Sequence, residues 1–257
     1  MTHASAGLWL VSFLVGLLVG STGMGGAALM TPFLILVLSV PPVLAVGTDL
    51  AYGALTKIVG AFIHWRQGTV DLRIAGRLAR GSVPGAIAGA LLISYLRRRG
   101  IDVDHVVRTA IGVVLVCVAF VIPAAPSFRT VGRAGRPGWL GANVVVLTTV
   151  WGAIVGFLVG FTSVGSGSLI APFLMLILSD KLSVVVGTDI FHAALLLTAT
   201  AALYMGIGQV QWHLMPILLV GSLPGVFLGS RLAVRLPQTA LRIVLTVLLL
   251  ATGIKLL

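Results

Sequence analysis

The sequence predicts an all-α polytopic membrane protein made of two inverted repeats, each a short broken or re-entrant helix pair followed by three full transmembrane helices. Three observations carry this. First, mean hydropathy is +1.14, and with 58% apolar and 9% charged residues the chain cannot cover a water-facing surface with polar groups. Second, it repeats itself: GLLVGSTGMGGAALMTPFLILVLS, from Gly16 to Ser39, aligns without a gap on GFLVGFTSVGSGSLIAPFLMLILS, from Gly156 to Ser179. Third, arginines crowd one loop of the first half and are missing from the equivalent loop of the second, as oppositely oriented halves require.

The offset of 140 that separates Pro32 from Pro172 also pairs Val46-Gly47-Thr48-Asp49 with Val186-Gly187-Thr188-Asp189. It still holds between Gly81-Ser82-Val83-Pro84-Gly85 and Gly221-Ser222-Leu223-Pro224-Gly225. Chance likeness between apolar stretches would scatter Leu and Val matches rather than keep Pro, Gly, Thr and Asp in step. The chain therefore reads as a first transmembrane repeat at 1–125, a cytoplasmic linker at 126–139 and a second transmembrane repeat at 140–257.

Each half holds five hydrophobic segments. In the first they run Gly7 to Gly20, Ala27 to Leu38, Val43 to Trp65, Ile74 to Leu96 and Val103 to Ile122; in the second, Leu140 to Phe161, Ser168 to Leu178, Val184 to Met205, Leu214 to Leu236 and Ala240 to Leu257. A span needs about 20 residues to cross a core of about 30 Å. The second segment of each half is too short and follows a turn, STGMGG or TSVGSGS. We read each first pair as a hairpin packed inside the protein, where irregular backbone is tolerated. An even number of crossings from the hairpin and three full spans then inverts one half relative to the other. The N-terminus lacks a basic n-region and an A-x-A cleavage pattern, so it reads as part of the mature chain.

The formal charge of +11 does not point to nucleic acid, because the 17 Lys and Arg sit mostly in short clusters between apolar runs. Arg66, Arg73, Arg77 and Arg80 flank the loop after the third segment, whereas its counterpart GIGQVQWH has neither Lys nor Arg. Arg129, Arg133 and Arg136 of the linker, with Arg231 and Arg235, fall on the same side, which we assign as cytoplasmic. Arg97, Arg98 and Arg99 fall on the other side, partly offset by Asp102 and Asp104. The single cysteine, Cys117, excludes an internal disulfide and a cysteine metal cluster, and reads as a core or lipid-facing residue. Neither a metal nor an organic cofactor is expected.

Inverted repeats with interrupted helices build their substrate site near the midplane, where half-helix ends meet. Free backbone N–H groups in a glycine-rich turn attract an anion. Candidate substrate-binding residues are therefore Ser21, Thr22, Gly23, Gly25 and Gly26 in the first turn and Thr162, Ser163, Gly165, Ser166 and Gly167 in the second, with the Ser168 hydroxyl nearby. The bland reading is that these glycines only let helices pack closely. That reading fits Gly81, Gly85 and Gly89, with Gly221, Gly225 and Gly229, better: four-residue spacing around a proline means close helix contact and a kink.

Asp49 and Asp189 are candidates for proton coupling, or else buried helix caps. Lys57 lies two helical turns beyond Asp49 and is a candidate counter-charge for an anion, against snorkelling toward an interface. Thr48, Thr188 and His192 join the candidate substrate-binding set, His192 being equally readable as a packing residue. His64, His213, Trp65, Trp139 and Trp212 near the span ends read as interfacial anchors.

The duplicated G-x-x-V-G-x-[ST]-x-x-G turn, the PFL at Pro32 to Leu34 and Pro172 to Leu174, the VGT at Val46 to Thr48 and Val186 to Thr188, and the GSxPG motifs together resemble the TauE/SafE family of sulfite and organosulfonate exporters. The likeness covers nearly the whole chain. It implies a multi-pass protein of the bacterial cytoplasmic membrane that exports small sulfur oxyanions such as sulfite or sulfoacetate, with the lipid bilayer as its surroundings and a homodimer allowed. The aspartate after VGT departs from the small or polar residue expected there. A passive channel for a small anion is the alternative. An intramembrane hydrolase is remote, because VGSG at Val164 to Gly167 lacks the first glycine of a nucleophile turn and no histidine has a claim to pair with Ser166.

Overall fold

The computed structural model describes residues 2–22, 27–133, 143–178, 182–232 and 238–257. Among these residues there are ten helices: α1 (Thr2–Thr22), α2 (Ala27–Leu36), α3 (Pro42–Arg66), α4 (Leu72–Arg98), α5 (Val103–Arg133), α6 (Val144–Thr162), α7 (Ile170–Ile177), α8 (Leu182–Gly206), α9 (Met215–Leu232) and α10 (Gln238–Leu256). Element for element the second five repeat the first.

Local chemistry sets the boundaries. α3 starts on Pro42, whose missing N–H is harmless in the first turn. It ends ahead of Gly68, which takes φ +66; its repeat mate Gly208 takes φ +70 after α8. Asp71 opens α4 by accepting the N–H groups of Arg73 and Ile74, each at 3.0 Å. Asp104 in the first turn of α5 reaches across to accept the Val43 N–H at 3.0 Å.

Among the described residues, six helices are long and apolar enough to cross a membrane: α3, α4, α5, α6, α8 and α10. α6 qualifies because nothing breaks it before the TSVGSGS turn, and α9 contributes an apolar stretch over Met215–Gly229. α1 likewise runs unbroken over 21 residues. Only the second member of each hairpin is short, 10 residues for α2 and 8 for α7. α5 continues to Arg133, through the first part of the stretch read as a linker; residues 134–142, with Arg136 and Trp139, lie outside the described residues.

Large apolar side chains on the outside, among them Val59, Phe120, Val247 and Ile254, form the surface that lipid would solvate. Cys117 is exposed among them. Buried polar residues lie inside instead, on α1, α2, α3, α4, α6, α8, α9 and the turn after α6. Trp65 and Trp212 are exposed near helix ends, as interfacial anchors are.

The repeats exchange partners. α4 packs along α6, and its mate α9 packs along α1. Gly81, Gly85 and Gly89 face Thr149, Ala153 and Phe157, so α4 and α6 run parallel at backbone contact; Gly225 and Gly229 face Phe13 and Leu17 in the same manner. The GSxPG glycines thus serve helix packing, as expected. The central pair is α3 against α8. Gly53 faces Leu197 and Gly60 faces Ile190, so these repeat mates run antiparallel, the geometry that an inverted repeat requires.

Candidate functional site

Asp49 is the eighth residue of α3 and caps nothing. It is 1% exposed, and its Oδ2 accepts two hydroxyls, Thr31 of α2 and Ser163 of the turn after α6, each at 2.6 Å. One carboxylate oxygen therefore ties a short helix of the first repeat to the glycine turn of the second. Oδ1 has no hydrogen-bond partner. A buried, half-satisfied carboxylate is costly in hydrocarbon, which singles it out for function.

The second turn is buried from Thr162 through Ser168. Thr162 donates its hydroxyl to the Leu158 carbonyl at 2.7 Å and accepts the Val164 N–H at 3.3 Å. Ser163 takes φ +64, a left-handed conformation that a side chain normally resists, and two bonds hold it there: its N–H to the Val159 carbonyl at 2.7 Å and its hydroxyl to Asp49. Gly165, at φ +117, occupies backbone space that only glycine enters freely. The Ser168 hydroxyl is buried without a partner. In the first turn, Ser21 donates to the Leu17 carbonyl and Thr22 ends α1; Gly23, Gly25 and Gly26 lie outside the described residues.

Lys57 is half-buried on α3 and is close enough to Asp189, Asp49 and His192 for its charge to act on all three. Asp189, 4% exposed, also has an unpartnered Oδ1. The two aspartates that look equivalent in sequence are served differently. The repeat mates of Thr31 and Ser163 are Ala171 and Gly23, which carry no hydroxyl, so Asp189 lacks at those positions the two hydroxyl donors that Asp49 has.

The remaining candidates lie on cross-repeat contacts. His192 Nε2 pairs with the Ser82 hydroxyl at 2.7 Å, and at the mate positions Tyr52 donates to the Ser222 hydroxyl at 2.7 Å. His192 Nδ1 is left without a partner. Thr48 accepts the Gln211 N–H and Thr188 accepts the Asp71 N–H, both at 2.9 Å. Beside them, a Cβ on Gly47 or Gly187 would overlap the carbonyl of Gln209 or Thr69. Each VGT motif therefore docks the loop of the opposite repeat through a bare backbone and a hydroxyl acceptor. Thr48→Val and Thr188→Val are expected to lower stability by about 0.5–1.5 kcal/mol each, because the loop N–H loses its acceptor. Thermal unfolding in detergent checks this, and a wild-type melt for both would refute the docking role.

Sequence reasoning passed over Thr31, Tyr52, Ser82, Ser222 and Tyr204. Ser82 and Ser222 lie inside a motif read only as packing. Tyr204, fully buried, donates to the Gly160 carbonyl at 2.8 Å, beside the start of the turn. The signal for Ser82 and Ser222 was their repetition at the same offset as Tyr52 and His192; nothing marks Thr31 or Tyr204.

Comparisons with known proteins agree with this architecture. Over 253 residues, 98% of this chain and 99% of the relative, it is 40% identical to the probable membrane transporter protein YjnA of Bacillus subtilis. It is 25% identical over 91% of its length to 92% of the probable membrane transporter protein YdhB of the same organism. Over 99% of this chain, it is 24% identical to 93% of the probable membrane transporter protein ORF9 of a Sinorhizobium species. No solved structure matches it. The model of the family described as sulfite exporter TauE/SafE matches residues 8–256. With that match over nearly its whole length and six helices fit to span a bilayer, the chain belongs to the TauE/SafE sulfite exporter family and is a multi-pass membrane transporter.

Proposed function

We propose that the protein is a secondary transporter that exports sulfite or small organosulfonate anions, such as sulfoacetate, across the bacterial cytoplasmic membrane by alternating access. The observation that carries this reading is the second turn. Thr162 to Ser168 is buried at the repeat interface, holds an unpaired Ser168 hydroxyl, and is tied to Asp49 of the other repeat. Turn amides and hydroxyls suit the oxygens of a sulfonate, and the Lys57 amine on α3 is the candidate counter-charge. In this reading the anion sits between the two glycine turns, with Ser21 and Thr22 on the first-repeat side.

The antiparallel contact of α3 and α8 supports an inverted arrangement in which one repeat rocks against the other. Asp49 Oδ1 and Asp189 Oδ1, both free of hydrogen-bond partners, are the atoms that would carry a coupled proton. The histidine nearest a hydrolase reading, His192, is engaged by Ser82 rather than by Ser166.

The test is flux in proteoliposomes with sulfite, sulfoacetate, taurine, sulfate and thiosulfate, with and without a pH gradient. Saturable sulfite flux, lowered about tenfold or more by Lys57→Ala, is the expected result, since a desolvated charge-assisted contact contributes about 1.5–3 kcal/mol. Large unitary currents would mean a channel, and no flux of any anion would overturn transport of this class. Wild-type sulfite binding in both Lys57→Ala and Thr22→Val would remove those residues from the site.

A further inference from the structure

Arg97, Arg98 and Arg99 sit at the end of α4 opposite Arg73, Arg77 and Arg80. That is the wrong end for arginines whose only task is to set topology. Their contacts divide them. Arg99 is occupied: its Nε donates to the Tyr95 hydroxyl at 3.1 Å and its guanidinium lies 5.2 Å from the Tyr95 ring centre. Arg97 and Arg98 instead line a cavity of about 360 Å³ with Ile93, Ser94 and Ile207. The nearby acids do not neutralise them by hydrogen bonding. Asp102 accepts the His105 N–H, Asp104 accepts the Val43 N–H, and both line a separate cleft.

The parallel register of α4 and α6 fixes where this cavity leads. Gly89 faces Phe157 and Phe161, so one turn further along α4 Ile93 comes level with the end of α6 and the start of the buried glycine turn. Tyr204 stands between. It donates to the Gly160 carbonyl, packs against Gly47, and feels the charge of Arg97. A volume of 360 Å³ exceeds what one hydrated sulfite-sized anion needs and is bordered by two guanidinium groups that present forked donors to an oxyanion.

We propose that Arg97, Arg98 and Ser94 form a second oxyanion site, a basic vestibule on the non-cytoplasmic side that receives small anions released from the Thr162–Ser168 turn. It rests on the export reading and deepens it by placing an anion-binding step at the end of α4. Two sources share the chemistry, a free sulfonate-type anion and the phosphate of an anionic lipid headgroup.

The experiment is phenylglyoxal modification of the protein in phosphatidylcholine nanodiscs, read by mass spectrometry, with sulfoacetate as the probe, because sulfite would add to the aldehyde of the reagent. Sulfoacetate is expected to protect Arg97 and Arg98 and to leave Arg108 reactive. Protection without sulfoacetate in phosphatidylglycerol nanodiscs assigns the site to the lipid phosphate. Absence of protection in every condition overturns the site. In phosphatidylcholine liposomes, Arg97→Gln and Arg98→Gln are expected to raise the KM for sulfite supplied from the Arg97 face about three- to tenfold with little change in kcat, and to flatten its salt dependence. Arg108→Gln, which removes a charge from the same end, should leave KM unchanged; an equal rise there, or none in the Arg97 and Arg98 variants, overturns the vestibule. If wild-type protein moves no anion the export reading fails, while arginine protection still decides the site.

Discussion

Gly81→Ala is expected to destabilise the protein sharply, whereas Gly76→Ala in the same helix is expected to be neutral or slightly stabilising. A Cβ on Gly81 would overlap the Thr149 carbonyl and come within 2.8 Å of the Ala153 nitrogen. These are main-chain atoms of α6 that cannot rotate aside, so the two helices must part. The seam is continuous: Gly85 and Gly89 meet α6 backbone, and Gly152, Gly156 and Gly160 meet α4 backbone from the other side. One methyl thus loosens several turns of contact, in a setting where close packing rather than hydrophobic burial holds helices together. Overpacking of this kind costs about 1–3 kcal/mol, and about 2–4 °C of Tm per kcal/mol applies to chains of this size. A Cβ on Gly76 meets nothing within 4 Å, and alanine is the better helix former by about 0.5–1 kcal/mol. Gly221→Ala should repeat the Gly81 loss in the α9–α1 seam, where its Cβ would come within 2.7 Å of the Ser12 Cβ. Thermal unfolding in one detergent decides it: equal melting of Gly76→Ala and Gly81→Ala would rule out the seam.

That contrast between Gly76 and Gly81 also marks how far the sequence could be read. Four-residue spacing around Pro84 and Pro224 identified both packing faces, because helical periodicity maps sequence onto one side of a helix. The duplication likewise located the hairpins, the spans and the asymmetry of Lys57, whose mate is Leu197. Partner choice was not legible. α4 chooses α6 and α9 chooses α1, and no periodicity says which of ten apolar helices a glycine face will meet. The two aspartates illustrate the same limit. Their contexts match within a few residues, but the hydroxyl that Asp49 receives from Ser163 crosses 114 positions of sequence. Thr48 and Thr188, grouped with the anion-binding candidates, also accept loop N–H groups, a role set by a loop in the opposite repeat. Arg97 and Arg98 counted against a charge rule in sequence, and acquire a reason only beside the cavity they line.

Asp49→Ala is the substitution expected to harm both folding and transport, and comparison with Asp49→Asn separates the two. Alanine strands the Thr31 and Ser163 hydroxyls, both 0% exposed, away from water. Two lost hydroxyl–carboxylate contacts contribute about 1–3 kcal/mol together when membrane alternatives are allowed for. Ser163 then keeps its left-handed backbone on the N–H bond to the Val159 carbonyl alone, so the glycine turn relaxes and sulfite binding falls with stability. Asparagine preserves volume and one oxygen able to accept both hydroxyls, so Asp49→Asn should melt close to wild type. It can neither take up nor release a proton, and its flux should lose the dependence on a pH gradient if Asp49 carries the coupled proton. Asp189→Asn is the matched control, since Asp189 is the repeat mate of Asp49 and its Oδ1 is likewise buried without a hydrogen-bond partner. A double-mutant cycle of Asp49→Asn with Ser163→Ala measures the bond itself, and strict additivity of the two losses would show that the carboxylate does not hold the turn. Flux that keeps its pH-gradient dependence in both asparagine variants would leave the two aspartates as anchors between repeats and move the proton elsewhere.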